Sequence, residues 1–331
     1  MVTALILLGD GRTADTAEPT AIAEALRDPA ARFWVDLNDP SEEDFALLDD
    51  VFGFHPLAIE DCMGHVQRPK IESYNHVGDA CRQGYFYMVI HGPDLDSTHE
   101  RLGTRELDLF VSERYLVTIH ENGVRPVDER LARARRDIRS SLEQGIDVLL
   151  YNILDVLVDN YLPILDGLQE NLTELEDRAL SDPGGGLLNE ISTLKRDLLN
   201  LRRTVGPQRE VIAQLTRGDV PFIREGTRIY LRDVLDHLIR IVETVELYRE
   251  LISGARDIYL SAVNNNLNQI VKTLTIFTVV VIPLNVISGF FGMNFEHIPG
   301  LHSPLAFWAT VAVMAASAGC ALFLFRRWKW I

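Results

Sequence analysis

Cysteine is scarce. Cys62, Cys81 and Cys320 are too few and too widely spaced in 331 residues for a disulfide framework or a CxxC pair. The soluble part is therefore expected in a reducing compartment. The nine histidines form no HExxH pattern and no Cys/His cluster. There is no glycine-rich phosphate loop, no paired catalytic acid constellation and no nucleophile elbow, so the chain is not read as an enzyme. Met1 to Arg12 holds only one short apolar run, Ala4–Leu8, without a basic flank before it, which is too short for a signal peptide. Basic residues are also under-represented: 32 Lys and Arg face 48 Asp and Glu, for a net charge of −16. The last 60 residues carry Lys272, Arg326, Arg327 and Lys329 against Glu296, so residues 1–271 hold −19. Such a region repels nucleic acid, which is not expected as a partner, and suits small cations; the same charge also serves solubility alone.

What is present changes along the chain. Ala4–Leu8, Phe33–Leu37, Tyr85–Ile90, Leu107–Val111 and Tyr115–His120 are short, β-branched or aromatic, and bounded by turn residues, as strands are. Ser41-Glu42-Glu43-Asp44 resembles a capping box opening a helix over Asp44–Val51, and His55–Met63 predicts a second short helix with Pro56 in its first turn. Residues 1–126 thus read as a mixed α/β domain. From Val127 strand signals vanish. Leu165, Leu168, Leu172 and Leu175 recur at helical steps, a stripe that must bury. Asp182-Pro183-Gly184-Gly185-Gly186 breaks this region into helices over about 143–181 and 187–216, an expected hairpin within 127–226, and a long helix is expected from Thr227 to residue 295.

Charge is absent from two 23-residue runs, Thr273–Phe295 and Ser303–Phe325. Each is long enough to cross a bilayer, which takes about 20 apolar residues; the alternative is a pair of buried core helices. Residues 296–302 separate them, too few for anything but a tight hairpin. That connection lacks Lys and Arg, whereas Lys272 and the tail 326–331 are basic, so the soluble domain and both termini are placed in the cytosol. Trp308, Trp328 and Trp330 stand where interfacial anchors are expected.

Alternating steps of four and three along the first run give Asp257, Ser261, Asn264, Asn268, Val271, Thr275, Thr278, Ile282, Asn285 and Gly289, seven of them polar. This 3.5-residue period keeps them on one face of a supercoiled helix. Polar groups facing lipid are costly, so the face is expected to meet other helices or water. One helix cannot enclose water, and the pore reading therefore requires several identical copies. The alternative is that these residues join a helix bundle by hydrogen bonds. Val271 and Ile282, with nearby Leu274, are candidate hydrophobic gates that close by dewetting.

Gly292-Met293-Asn294 follows this stripe, 37 residues from the C-terminus, before an acidic connection and a second apolar helix with a basic-aromatic tail. In that position the motif resembles the signature of the CorA Mg²⁺ channel family. Trp34-Val35-Asp36-Leu37, the run from His55 to Asp61, the run from Gln67 to Glu72 and the run from Tyr230 to His237 are similar to the same family, in the same order. The resemblance implies an α/β/α sandwich followed by long helices and two C-terminal transmembrane helices, assembled as a funnel-shaped homopentamer in the cell (inner or plasma) membrane. It implies Mg²⁺, with Co²⁺ or Ni²⁺ as further candidates, as the transported ion, and the lipid bilayer and further copies of the chain as partners. The Gly292, Met293 and Asn294 ring would form the external mouth. Asn294 carbonyls suit a Mg²⁺ ion that keeps its water, Asn285, Asn268 and Asn264 line the path, and Asp257 is a charge at its cytosolic end.

The resemblance further implies that cytosolic Mg²⁺ binds between subunits and holds the pore shut, through Asp61 with Asp233 and through Glu60 with Asp155. Physically, a divalent ion offsets repulsion between adjacent acidic subunits. Two departures stand out. Ile298-Pro299-Gly300 lacks the acid often found after that proline, and Val271 stands where many relatives carry a larger Met. The rival readings are a Zn²⁺ transporter of the ZntB-like branch, which Met293 disfavours, and a membrane-anchored helical scaffold that moves no ion.

Overall fold

The computed structural model describes residues 1–64, 67–74, 84–94, 103–121, 123–181, 184, 186–293 and 304–330. Seven strands form one sheet: β1 (Val2–Leu7), β2 (Thr13–Thr16), β3 (Arg32–Asn38), β4 (Lys70–Tyr74), β5 (Tyr85–Pro93), β6 (Thr104–Val111) and β7 (Tyr115–His120). Their order is β2-β1-β3-β7-β6-β5-β4. Every pairing is antiparallel except β3 with β7, where Val35 faces Val117. The five strands expected from composition all form. The two that were missed, β2 and β4, are the sheet edges, where half-exposed polar residues erase the alternating pattern. Gly11 turns β1 into β2 at φ 86°, a conformation that side chains resist.

Side chains alternate across the sheet. Phe33, Val35, Tyr85, Tyr87, Phe110, Tyr115 and Val117 point to one face and form a single core with α1 (Pro19–Arg27), α2 (Glu42–Asp50) and α3 (Pro56–Met63). Within it Phe54 stacks on Phe110 at 4.1 Å. The expected capping box opens α2: the Asp44 amide donates to Ser41 Oγ, and the Ser41 amide donates to Asp44 Oδ2. The other face meets α5 (Ile138–Glu143), α6 (Ile146–Asp159) and α8 (Leu187–Arg217). There Tyr161 Oη donates to the His91 carbonyl, and the His91 amide donates to Gln208. The result is an α/β/α sandwich.

The remaining helices are α4 (Arg125–Arg136), α7 (Tyr161–Ser181), α9 (Glu225–Phe291) and α10 (Pro304–Arg327). The helix expected as one piece over 143–181 is two, α6 and α7, divided at Asn160. The chain divides into two compact units: Met1–Asp177 with Gly186–Ala255, and Arg178–Gly185 with Arg256–Ile331.

Among the described residues, three stretches are long and apolar enough to cross a membrane: Ile146–Ser181, Glu225–Phe291 and Leu305–Arg327. The first is a core element. Ile153, Leu154 and Leu157 are fully buried, and Leu157 lies against Gly92 of the sheet. In the other two, none of the most apolar 18-residue window is buried within the chain.

Candidate ion path and acidic sites

The C-terminal part of α9 carries the polar stripe. At about 100° per residue, Asp257 through Gly289 stay within a sector of about 120°. Of the ten, all are exposed in the chain except Thr275 and Thr278, which are half-buried. The half-buried apolar residues of 276–291, among them Ile276, Val280, Leu284 and Ile287, lie outside that sector. The chain's own residues therefore leave the stripe uncovered. Asn264, Asn268 and Asn285 have free faces, and so do Val271 and Ile282, at 60% and 54% exposure. Leu274 is equally exposed but stands beside the stripe rather than on it. The threonines differ from the asparagines: Thr275 and Thr278 hydroxyls each donate to the carbonyl four residues back, at 2.8 Å.

Gly292 and Met293 follow the end of α9. The Gly292 amide donates to the Ser288 carbonyl at 2.9 Å, and a Cβ on Gly292 would lie 3.2 Å from that oxygen, so a side chain there is crowded. Asn294, with Glu296, His297 and Pro299, falls outside the described residues. At the other end of the apolar pair, Lys272 Nζ donates to the Lys329 carbonyl at 3.4 Å, and Phe325 stacks with Trp330 at 5.6 Å. The basic flank of the first apolar run and the basic-aromatic tail of the second thus meet, as an antiparallel hairpin requires.

The acids proposed for regulation lie in the α/β unit as two separate patches. Glu60 and Asp61 are on α3, which starts at Pro56 with His55 Nδ1 accepting from the Leu57 amide. Asp61 is held by Lys70 on β4. Burial acts to lower the Lys70 pKa, but the hydrogen bonds and charges of Asp61 and Glu72 outweigh it and raise the value. The second patch joins Asp155 of α6 with Asp233 of α9. Asp155 is raised by burial and then by the charges of Asp159 and Asp233, against a hydrogen bond from Tyr151. His237 Nδ1 lies 2.8 Å from Asp159 Oδ1. Among the described residues, no three His, Cys, Asp or Glu of one chain are arranged to hold a metal ion.

Sequence reasoning missed a third acidic group. Glu106 and Asp108 alternate on β6 and share the face that α3 covers. Tyr87 Oη donates to Asp108 Oδ1 at 2.5 Å, and the Gln67 amide donates to Glu106 Oε2 at 2.6 Å. Burial raises the pKa of Glu106 and of Asp108, and the Glu106 charge raises Asp108 further. The only signal in the sequence is two acids at a spacing of two inside a strand otherwise apolar from Leu107 onward.

An α/β/α unit is joined to two exposed helices long and apolar enough to cross a membrane, the first of them bearing a polar stripe. The chain matches the model of the family described as CorA-like Mg²⁺ transporter protein over residues 30–327, and it belongs to this family of divalent-cation transporters. YfjQ of Bacillus subtilis is 39% identical over 289 residues, covering 86% of each chain. The cobalt/magnesium transport protein CorA of Thermotoga maritima is 33% identical over 310 residues, 92% of this chain and 85% of its own. Among solved structures, the complete CorA magnesium transporter of Methanocaldococcus jannaschii matches with a TM-score of 0.77 at 24% identity, over 100% of this chain and 99% of that one, which shows the common fold.

Proposed function

We propose that the chain is the subunit of a homopentameric channel that lets Mg²⁺, and with it Co²⁺, flow inward across the cell membrane. The observation that carries this is the stripe from Asp257 to Gly289, which the chain itself leaves uncovered. Polar side chains at membrane depth need partners or water; copies of α9 around an axis supply both. Mg²⁺ sheds water reluctantly. Neutral amide oxygens of Asn294, Asn285, Asn268 and Asn264 hydrogen-bond its hydration shell without trapping the ion, whereas a ring of carboxylates would hold it. Gly292 and Met293 shape the outer mouth, Asp257 gathers cations at the cytosolic end, and Val271, Ile282 and flanking Leu274 close the path when it dries.

In this reading cytosolic Mg²⁺ regulates the channel at the seam between subunits, Asp61 of one copy meeting Asp233 of the next, with Glu60 and Asp155 beside them. What supports a shared site is that Glu60 and Asp233 are exposed and Asp61 and Asp155 only half-buried, so both patches are open to a neighbouring copy. The soluble domain of residues 1–126, the helices of 127–226 and the long helix of 227–295 lie on the cytosolic side up to the membrane, with both termini in the cytosol.

The test is uptake into vesicles holding the purified protein, with Mg²⁺ or Zn²⁺ outside and with or without Mg²⁺ inside. Mg²⁺ uptake that internal Mg²⁺ suppresses is the expected result. Zn²⁺ uptake alone would move the protein to the zinc branch, and no uptake of either would leave only the scaffold.

A further inference from the structure

A cavity of about 210 Å³ lies behind α3, lined by Phe45, Cys62, Arg105, Glu106, Asp108 and Glu121 among others. Two carboxyl groups at its wall, with no Lys or Arg bonded to either among the described residues, are an unusual expense for a domain core. We propose that the Glu106–Asp108 pair is a proton-operated switch: the domain rests with a proton held on the pair, and losing it puts uncompensated charge behind α3 and loosens that helix.

The surroundings decide whether anything else balances the charge. On α3, Cys62 Sγ donates to the Ala58 carbonyl at 3.1 Å and lies 3.6 Å from Tyr87 Oη, and burial raises its pKa, while Asp61 adds a like charge to Asp108. On β5, Tyr87 donates its one proton to Asp108. His91, also on β5, has Nε2 2.8 Å from the Gln67 carbonyl and 3.8 Å from Glu106, and burial lowers its pKa. On β6, Arg105 is committed to Asp94 at 2.8 Å and to the Gly123 carbonyl at 2.7 Å. At the end of β7, His120 Nδ1 accepts from the Val124 amide, which leaves Nε2 to donate to Asp36, and Glu121 is a further like charge. On β4, Lys70 has Nζ 5.3 Å from the Tyr87 ring centroid and is bonded to Asp61. A proton therefore takes the place of a counter-ion. Once it leaves, repulsion falls on α3 through Cys62 and Asp61 and on the connection after α3 through the Gln67 amide, and Lys70 is drawn from Asp61 toward the pair.

The switch goes beyond transport and does not rest on regulation by Mg²⁺, so its test is run on the full-length protein in EDTA. Wild type should lose a protonated-carboxyl C=O band in the infrared between pH 6 and 9. Amides of α3 should exchange about tenfold faster at pH 8.5 than at pH 6.5 after correction for intrinsic rates, a tenfold change being the equivalent of one pKa unit. Asp108→Asn should remove both effects, and Glu106→Gln, which keeps an acceptor for the Gln67 amide, guards against a fold defect in the first variant. A carboxyl band unchanged from pH 6 to 9, or a band that is lost while α3 exchange stays level, would overturn the proposal. Failure of Mg²⁺ uptake in vesicles would leave these results intact.

Discussion

Lys70 Nζ is salt-bridged to Asp61 Oδ2, so the carboxylate proposed for the regulatory ion already holds a cation. Both side chains are a little over a quarter exposed, which puts the pair in the range of about 0.2 to 1 kcal/mol. An incoming Mg²⁺ must displace or share with the ammonium. Lys70→Gln should therefore lower the internal Mg²⁺ needed to halve uptake, by up to about fivefold. Vesicle flux titrated with internal Mg²⁺ checks this, and a requirement for more Mg²⁺ would mean that Lys70 orders Asp61 for the ion instead of competing.

The stripe offers a contrast between residues of similar polarity. Thr278 already donates its hydroxyl proton to the Leu274 carbonyl, whereas the Asn268 amide is exposed. Thr278→Val should change Mg²⁺ flux less than about twofold, and Asn268→Leu should lower it by tenfold or more, since each 1.4 kcal/mol is a factor of ten and a lost polar partner costs about that. Equal effects of the two would mean that the stripe holds helices together and carries no ion.

Val271 is 60% exposed and stands among polar neighbours on the stripe. Replacing it by Asn should wet the constriction and raise flux in the presence of internal Mg²⁺ severalfold. Unchanged closure would place the gate at Ile282 or elsewhere.

Asp147, at the first turn of α6, is buried and receives Arg224 Nε at 3.0 Å and Thr227 Oγ1 at 2.6 Å. Burial alone would raise its pKa, but these bonds outweigh burial and lower it. A lowered carboxylate stabilises the fold above its unfolded value near 3.8 and stops doing so as pH falls through the folded value. Asp147→Ala should cost about 3 kcal/mol at pH 7, the low end for breaking a buried pair because the Arg224 side chain keeps 58% exposure. Thermal unfolding at pH 7 should show the loss, and the gap from wild type should narrow as pH falls through the lowered folded value of Asp147.

Much of the fold was legible because burial writes periodicity into sequence. The strand pattern of Tyr85–Ile90 and the leucine steps from Leu165 are direct records of what each face touches. The capping box at Ser41 was legible for the same local reason: its two hydrogen bonds lie within four residues. β4 was not, because Lys70 and Glu72 put charges bonded to each other and to Asp61 on the face where Tyr74 packs against the core, which breaks the apolar alternation. The break at Asn160 carried a mark that the sequence reading did not use, Pro163 three residues on.

Sequence by itself determined that two uncharged runs close the chain and that a polar row continues through the first of them, since lipid tolerance and helical spacing are local properties of residue order. Only tertiary structure decided which apolar stretch is core: Ile146–Ser181 is long enough to span, yet the sheet buries Leu154 and Leu157. Folding likewise set Glu106 and Asp108 behind α3, and brought Asp155 beside Asp233 while Asp61 went to Lys70. Such pairings join segments tens of residues apart, and charge balance across them is a property of distance in space that no spacing in the sequence encodes.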